Sequence, residues 1–223
     1  MLQLEVPGGG RKVLLHSCCA PCSGAVLECL LASGIEPVVF FSNSNIVPRE
    51  EYELRLHELE RYCTSLGVTL VADEYDHEAW LAAVLEKDGP AERQVSLASA
   101  PERGERCLNC FKFRLLRAAL YAREHSIPVL TTTLASSRWK SLEQVDAAGR
   151  YACSAVSPLP KKTYGAKRPG ESEGSAPQSN KQFLLWWGQN WRKGGLQERR
   201  SQIICEQNFY NQNWCGCEFS HHD

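Results

Sequence analysis

Short apolar runs alternate with longer amphipathic stretches along this chain. "KVLLHS" (12–17) and "PVVFFSN" (37–43) are rich in β-branched and aromatic residues and short enough for buried strands; "VTLVADEY" (68–75) and "PVLTTTL" (128–134) repeat the pattern. Helical spacing lies between them. "SGAVLECLLAS" (23–33) begins at a Ser-Gly cap candidate and stops before Gly34, and "EEYELRLHELERYCTSLG" (50–67) keeps a helical period as far as Gly67. A further helix opens as the cysteines of "ERCLNCFKFRLLRAALYAREH" (105–125) end. Parallel strands need crossovers of this length, so the expected fold is an α/β three-layer sandwich with a mainly parallel sheet. Sites in such sheets lie beyond the carboxyl ends of the strands.

That rule singles out "HSCCAPC" (16–22), the turn leaving the first strand and entering the first helix. Helix-start N–H groups and the local dipole favour anions there, and thiolates are anions. Pro21 suits a first helical position, and Cys18 and Cys22, four apart, share one side of a first turn. "NSNIVPREEY" (43–52) leaves the second strand in the equivalent place, so Asn43, Asn45 and Arg49 are candidates for the same crevice, with turn geometry as the competing role of the asparagines. Ser136, Ser137, Arg138 and Lys140 follow the fourth strand, where hydroxyls and cations suit ribose and phosphate; a capped helix start is the bland alternative. His16 reads equally as a proton donor or as a satisfied core residue.

Cysteine usage sharpens the picture. Of eleven cysteines, seven fall in three groups: Cys18, Cys19 and Cys22; Cys107 and Cys110; Cys215 and Cys217. Cys29, Cys63, Cys153 and Cys205 sit singly and read as small core residues. Cys-x-x-Cys alone fits a redox dithiol or half a zinc site. The one-residue spacing of Cys215 and Cys217 fits a strained, readily reduced disulfide or two ligands on one metal. Seven sulfurs exceed one tetrahedral zinc, and an iron–sulfur cluster with spare thiols is the more economical reading. The expected cluster ligands are Cys18, Cys19, Cys107 and Cys110, with a helix-facing structural thiol as the competing role of Cys22. The start "MLQLEVPGGGRKVLLHS" shows no secretory pattern and no apolar run reaches a membrane span, so a cytoplasmic chain with reduced thiols is expected.

The net charge of −1 conceals an asymmetry, because residues 138–200 carry twelve Lys/Arg against five Asp/Glu. Such a block is either a solvated face or the footprint of a polyanion. Within it, Trp186, Trp187 and Trp191 beside Arg192 and Lys193 combine flat rings with positive charge, as a surface stacking unpaired bases would. The expected organisation is a catalytic α/β core (1–160), a polar flexible insertion (161–182) and a basic, aromatic C-terminal segment (183–223) whose Cys-Gly-Cys folds back onto the core.

Taken together, "LLHSCCAPCS", "NSNIVPREEYELR", "ERCLNCFKFRL", "TTTLASSRWK", "WRKGGLQERR" and "FYNQNWCGCEFS" closely resemble the cobalamin-independent QueH family of epoxyqueuosine reductases, from about residue 12 to 220 and in the same order. The resemblance implies a fold akin to adenine-nucleotide α-hydrolase-like proteins, a tRNA substrate carrying epoxyqueuosine at the wobble position, its reduction to queuosine, and iron–sulfur chemistry, a [4Fe–4S] cluster. On that reading Cys215 and Cys217 are a redox-active pair or the ligands of an additional iron ion, and an electron donor that the sequence does not identify completes the system. Three classes compete. A thiol–disulfide oxidoreductase would need one Cys-x-x-Cys and no iron. A metal-bound tRNA-binding or ATP-dependent thiolating protein would need, for the thiolation, a phosphate loop close to Ser-Gly-Gly-x-Asp-Ser, where this chain has "HSCCAPCSG".

Overall fold

The computed structural model describes residues 3–157 and 183–220; the stretch 161–182, expected as an insertion, lies outside them. Five strands, β1 (Lys12–His16), β2 (Glu36–Phe41), β3 (Leu70–Ala72), β4 (Val129–Thr132) and β5 (Leu185–Trp186), form one sheet in the order β3-β2-β1-β4-β5. Every pairing is parallel, with Leu14 opposite both Val38 and Leu130. β1 is therefore central. Its Val13, Leu14 and Leu15 are fully buried, which is why the run reads as continuously apolar rather than alternating.

The described residues form seven α-helices around the sheet: α1 (Ala20–Ala32), α2 (Arg49–Ser65), α3 (His77–Leu85), α4 (Ala91–Ala98), α5 (Glu105–Glu124), α6 (Leu142–Val156) and α7 (Leu196–Gln207). α1 packs between α2 and α7, while α5 runs along α6 and carries α3 and α4, giving a three-layer α/β sandwich. α1 begins three residues earlier than its Ser-Gly signal. Pro21 sets the first turn, Cys19 takes the extended cap position, and the Ser23 hydroxyl donates back to the Cys19 carbonyl at 2.7 Å instead of capping. The third strand shrinks from the expected 68–75 to three residues at the sheet edge, Leu70 and Val71 half-buried and Ala72 exposed.

The sheet order fixes where a site can form. From β1 the chain crosses to β2 and β3 on one side and returns to β4 and β5 on the other, so the loops leaving β1 and β4 part at their carboxyl ends and open a crevice. Cys18 and Cys19 follow β1; the short helical turn Thr133–Ser136 and residues 137–140 follow β4.

Small residues bring α5, α6 and β5 close. Ala118, Ala119 and Ala122 of α5 and Ala148 and Ala152 of α6 are fully buried, and Gly149 leaves room for the Trp186 indole, whose Nε1 donates to Asp146 at 2.7 Å. A Cβ at Gly149 would overlap that ring. Helix propensity alone favours Gly149→Ala by about 1 kcal/mol. We expect the overlap to dominate and the variant to lose about 1–3 kcal/mol, lowering the thermal midpoint by several degrees; an unchanged or raised midpoint would show that the indole is free to move.

Candidate functional site

Three segments distant in sequence build the crevice. At the end of β1 the sulfurs of Cys18, Cys19 and Cys22 all lie within 4.8 Å of one another. The Cys18 amide donates to Thr133 Oγ1 at 3.3 Å, tying this turn to the one after β4. Hydrogen bonds from Cys19 and Cys22 hold the Cys18 thiol well below the usual thiol range against the cost of burial, helped by the charges of Lys140 and Arg114. Burial, then the bond to Cys18, pushes Cys19 up, so Cys18 is the member of the trio poised as thiolate. Cys19 Sγ accepts from Gln212 Nε2 at 2.7 Å.

His16 is a satisfied core residue. Its buried ring accepts from Thr132 Oγ1 at Nδ1 (2.7 Å) and donates from Nε2 to the Ser42 carbonyl (3.2 Å), the tautomer being set by that carbonyl. Burial and the nearby Arg114 charge lower its pKa to about 3, which leaves the ring neutral with its one N–H committed to the Ser42 carbonyl.

The second wall is the first turns of α5. Cys107 Sγ accepts from the Arg103 amide at 3.3 Å and Cys110 Sγ from Trp80 Nε1 at 3.4 Å. Burial raises both thiols. Arg114, one turn beyond Cys110, is buried; its Nε donates to the Ser42 carbonyl at 3.0 Å and its Nη2 to Asn43 Oδ1. Asn43 in turn donates to the Ser17 carbonyl at 2.9 Å. Asn43 thus joins the ends of β1 and β2 and aims Arg114; its own side chain is spent on scaffold bonds.

The C-terminal segment closes the site. Gly216 adopts φ +99°, a conformation that disfavours side chains, and packs against Ile46 and Arg55. Its carbonyl accepts from the Val47 amide at 2.9 Å, and the Cys215 carbonyl accepts from Arg55 Nη1 at 3.1 Å, while Arg55 Nε donates to Glu51 at 2.7 Å. Cys215 and Cys217 stand with sulfurs 3.3 Å apart, and Ser220 Oγ lies 3.0 Å from Cys215 Sγ. The bond from Cys217 lowers the Cys215 thiol well below its usual range despite burial, with Lys140 and Ser220 assisting; the same bond raises Cys217. Burial works against the Lys140 charge, yet the sulfurs of Cys18, Cys22 and Cys215 raise its pKa, so this ammonium serves two of the three thiol groups.

These walls enclose a cleft of about 880 Å³ lined by Cys18, Cys22, Cys107, Cys110, Cys215 and Cys217. Of the residues singled out for substrate contact, Asn45, Ser136, Ser137, Arg138, Lys140 and Arg192 line it too. The other three are placed differently. Asn43 lies behind the wall, Arg49 pairs with Glu53 at 2.9 Å and lies 4.5 Å over the Tyr75 ring, and Lys193 is exposed outside the lining. Arg192 donates to the Ser137 carbonyl and, at 2.7 Å, to the Lys140 carbonyl, shaping the loop between them. The tryptophans expected to stack bases are mostly core: Trp187 and Trp191 are buried and Trp186 is fixed over Gly149.

Arg55, Arg103, Arg106 and Arg114 also line the cleft and were not anticipated. Arg114 had a signal: the spacings 107, 110 and 114 put it on one helix face with both cysteines. Arg55 had none, because its partner lies 160 residues away. Asn45 Oδ1 and Gln212 Oε1 are buried without a partner, and both residues line the cleft. No helix among the described residues is long and apolar enough to cross a membrane.

A family model described as epoxyqueuosine reductase QueH matches residues 13–168 and 170–223. Proteins named epoxyqueuosine reductase QueH are similar to this chain. That of Haemophilus influenzae is 36% identical over 221 residues, covering 99% of this chain and 76% of the relative. The Acinetobacter baylyi protein is 36% identical over 222 residues, covering 100% and 86%. The Thermotoga maritima protein is 28% identical over 211 residues, covering 93% and 89%. A match that runs through all three cysteine groups and nearly the whole length leaves one placement: the chain belongs to the epoxyqueuosine reductase QueH family.

Proposed function

We propose that this enzyme reduces epoxyqueuosine to queuosine at the wobble position of tRNA, using an iron–sulfur cluster held between the β1 turn and α5. The observation that carries the reading is the convergence of three separate cysteine groups on one cleft whose remaining walls are cationic. The donor set fits such a cluster. Soft sulfur donors outnumber the carboxylates of the lining, Glu102 and Glu198, and Arg114 and Lys140 would offset the negative charge that clustered thiolates bring on binding a metal. The unpartnered Asn45 and Gln212 oxygens also fit a cleft built around a further group.

Cys18, Cys107 and Cys110 with one more thiolate from Cys19 or Cys22 would hold the cluster, about four ligands in all. When bound, it supplies single electrons at low potential. Opening an epoxide to an alkene and water takes up two electrons and two protons. A dithiol releases the same complement on closing to a disulfide, so Cys215 and Cys217, with adjacent sulfurs, match the demand; an additional iron, where one is used, belongs at this pair. An external donor then restores the reduced pair. Lys140 holds positive charge between the thiol groups, where an oxygen leaving the epoxide would gather negative charge. Arg192 keeps the 137–140 loop in shape, and the exposed Arg138 and Lys193 are available to phosphate.

Cys107→Ser and Cys110→Ser should each abolish the brown chromophore of anaerobically prepared protein together with reduction of epoxyqueuosine-bearing tRNA. Full chromophore and turnover in either variant would remove that residue from the ligand set. Of Cys19→Ser and Cys22→Ser, one should lose the chromophore and the other retain it; retention in both would move the fourth ligand elsewhere.

Lys193→Ala should raise the Michaelis constant for tRNA and reduce the slope of its salt dependence by about 1, since one phosphate contact releases about one counterion. An unaltered slope would place the RNA backbone away from this residue.

A further inference from the structure

Among six tryptophans, one breaks the pattern of burial. Trp139 is 66% exposed, whereas Trp80, Trp187 and Trp191 are buried and Trp186 and Trp214 are half-buried. Trp139 also lines the thiol cleft, in the loop between the helical turn Thr133–Ser136 and α6. A lone exposed ring is ordinary on a protein surface; this one stands on the rim of the thiol cleft, in a loop held from two sides.

The loop is built to hold the indole there. Arg192 donates to the carbonyls of Ser137 and Lys140, and Arg103 donates to those of Arg138 (3.4 Å) and Trp139 (2.9 Å). Four consecutive carbonyls are thus bound by two guanidiniums. Ser141 then caps α6 by accepting from the Gln144 amide at 3.3 Å. With its backbone fixed at both ends, the loop projects the Trp139 ring from a rigid base, and the exposed Arg138 guanidinium lies 5.7 Å from the ring centroid. An indole with a guanidinium over one face, bordering a cleft rich in arginine, matches an unpaired nucleobase stacked on its other face and the adjoining phosphate better than it matches a peptide or a lipid.

We propose that Trp139 is a stacking platform for an unpaired base flanking the wobble nucleotide, so that the enzyme grips the anticodon loop beside the nucleoside it reduces. This rests on the reading that the substrate is tRNA. Stacking on one side of the wobble position would hold the loop open and present the neighbouring nucleoside to the cleft. The fixed loop makes the platform ready before RNA arrives, which limits the ordering cost of binding.

The test uses the anaerobically prepared protein and two anticodon stem–loop RNAs, in which 2-aminopurine replaces the nucleotide on one or the other side of the wobble position. Wild-type protein should quench one of the two probes. Trp139→Ala should lose that quenching and bind the stem–loop roughly tenfold more weakly, while Trp139→Phe keeps most of both. Quenching or affinity unchanged in Trp139→Ala would overturn the stacking role and leave the tRNA reading standing. Failure of the wild-type protein to bind either RNA would overturn both.

Discussion

A buried guanidinium organises the site. Arg114 extends from α5 beneath the cleft, donates to the Ser42 carbonyl at the end of β2, and holds Asn43, which reaches across to Ser17 at the end of β1. One side chain therefore fixes the helix that carries Cys107 and Cys110 against the turn that carries Cys18. Each charge-assisted bond of this kind is worth about 1.5–3 kcal/mol in a buried setting. The same charge lowers the cost of a thiolate at Cys18 and at Cys110, and it adds to burial in keeping His16 neutral. Structure and electrostatics rest on the same group.

The third cysteine group depends on a different kind of constraint. Cys215 and Cys217 reach the cleft because Gly216 turns the chain at positive φ while its carbonyl and that of Cys215 are taken by the Val47 amide and Arg55. Cys217 and Phe219 then pack with Trp80 and Val84 of α3, beside Cys110. Phe219 lies under the Arg106 guanidinium, 4.3 Å from its ring centroid, and Arg106 is itself bonded to the carbonyls of Leu97 and Ala98 at the end of α4. α3 and α4, which touch little of the sheet, serve chiefly as the seat of this segment.

Much of this was legible in the residues. Buried strands declare themselves as unbroken apolar runs, so β1, β2 and β4 were visible, and α1 and α2 followed from their period; α5, expected to open after its two cysteines, starts at Glu105 and carries both in its first turns. β5 was hidden because two residues inside "FLLWWG" form a strand only through pairing with β4. α6 was hard to see because half of its buried face, Ala148, Gly149 and Ala152 among Val145, Cys153 and Val156, is made of small residues that carry little apolar signal. At the site, the cysteine groups stood out because thiols in such spacing are rare for any other reason. Arginines were harder: Arg49 sits at a strand exit yet spends its charge on Glu53 and on Tyr52 and Tyr75. Arg55 and Arg106, inside amphipathic helices, prove to line the cleft. Periodicity reports which face is apolar, and it is silent on which cation is buried. The tryptophans show the same limit, since those of the "WWGQNW" stretch are largely core and the exposed ring is Trp139.

The central claim is that the converged thiols hold iron and sulfide rather than a lone metal ion or nothing. Iron, zinc and acid-labile sulfide measured on anaerobically prepared wild-type protein test it most directly. The account predicts about four iron and four sulfide per chain, with further iron if the Cys215–Cys217 site is filled. Zinc without sulfide, or a colourless, iron-free protein that still reduces epoxyqueuosine in tRNA, would contradict it.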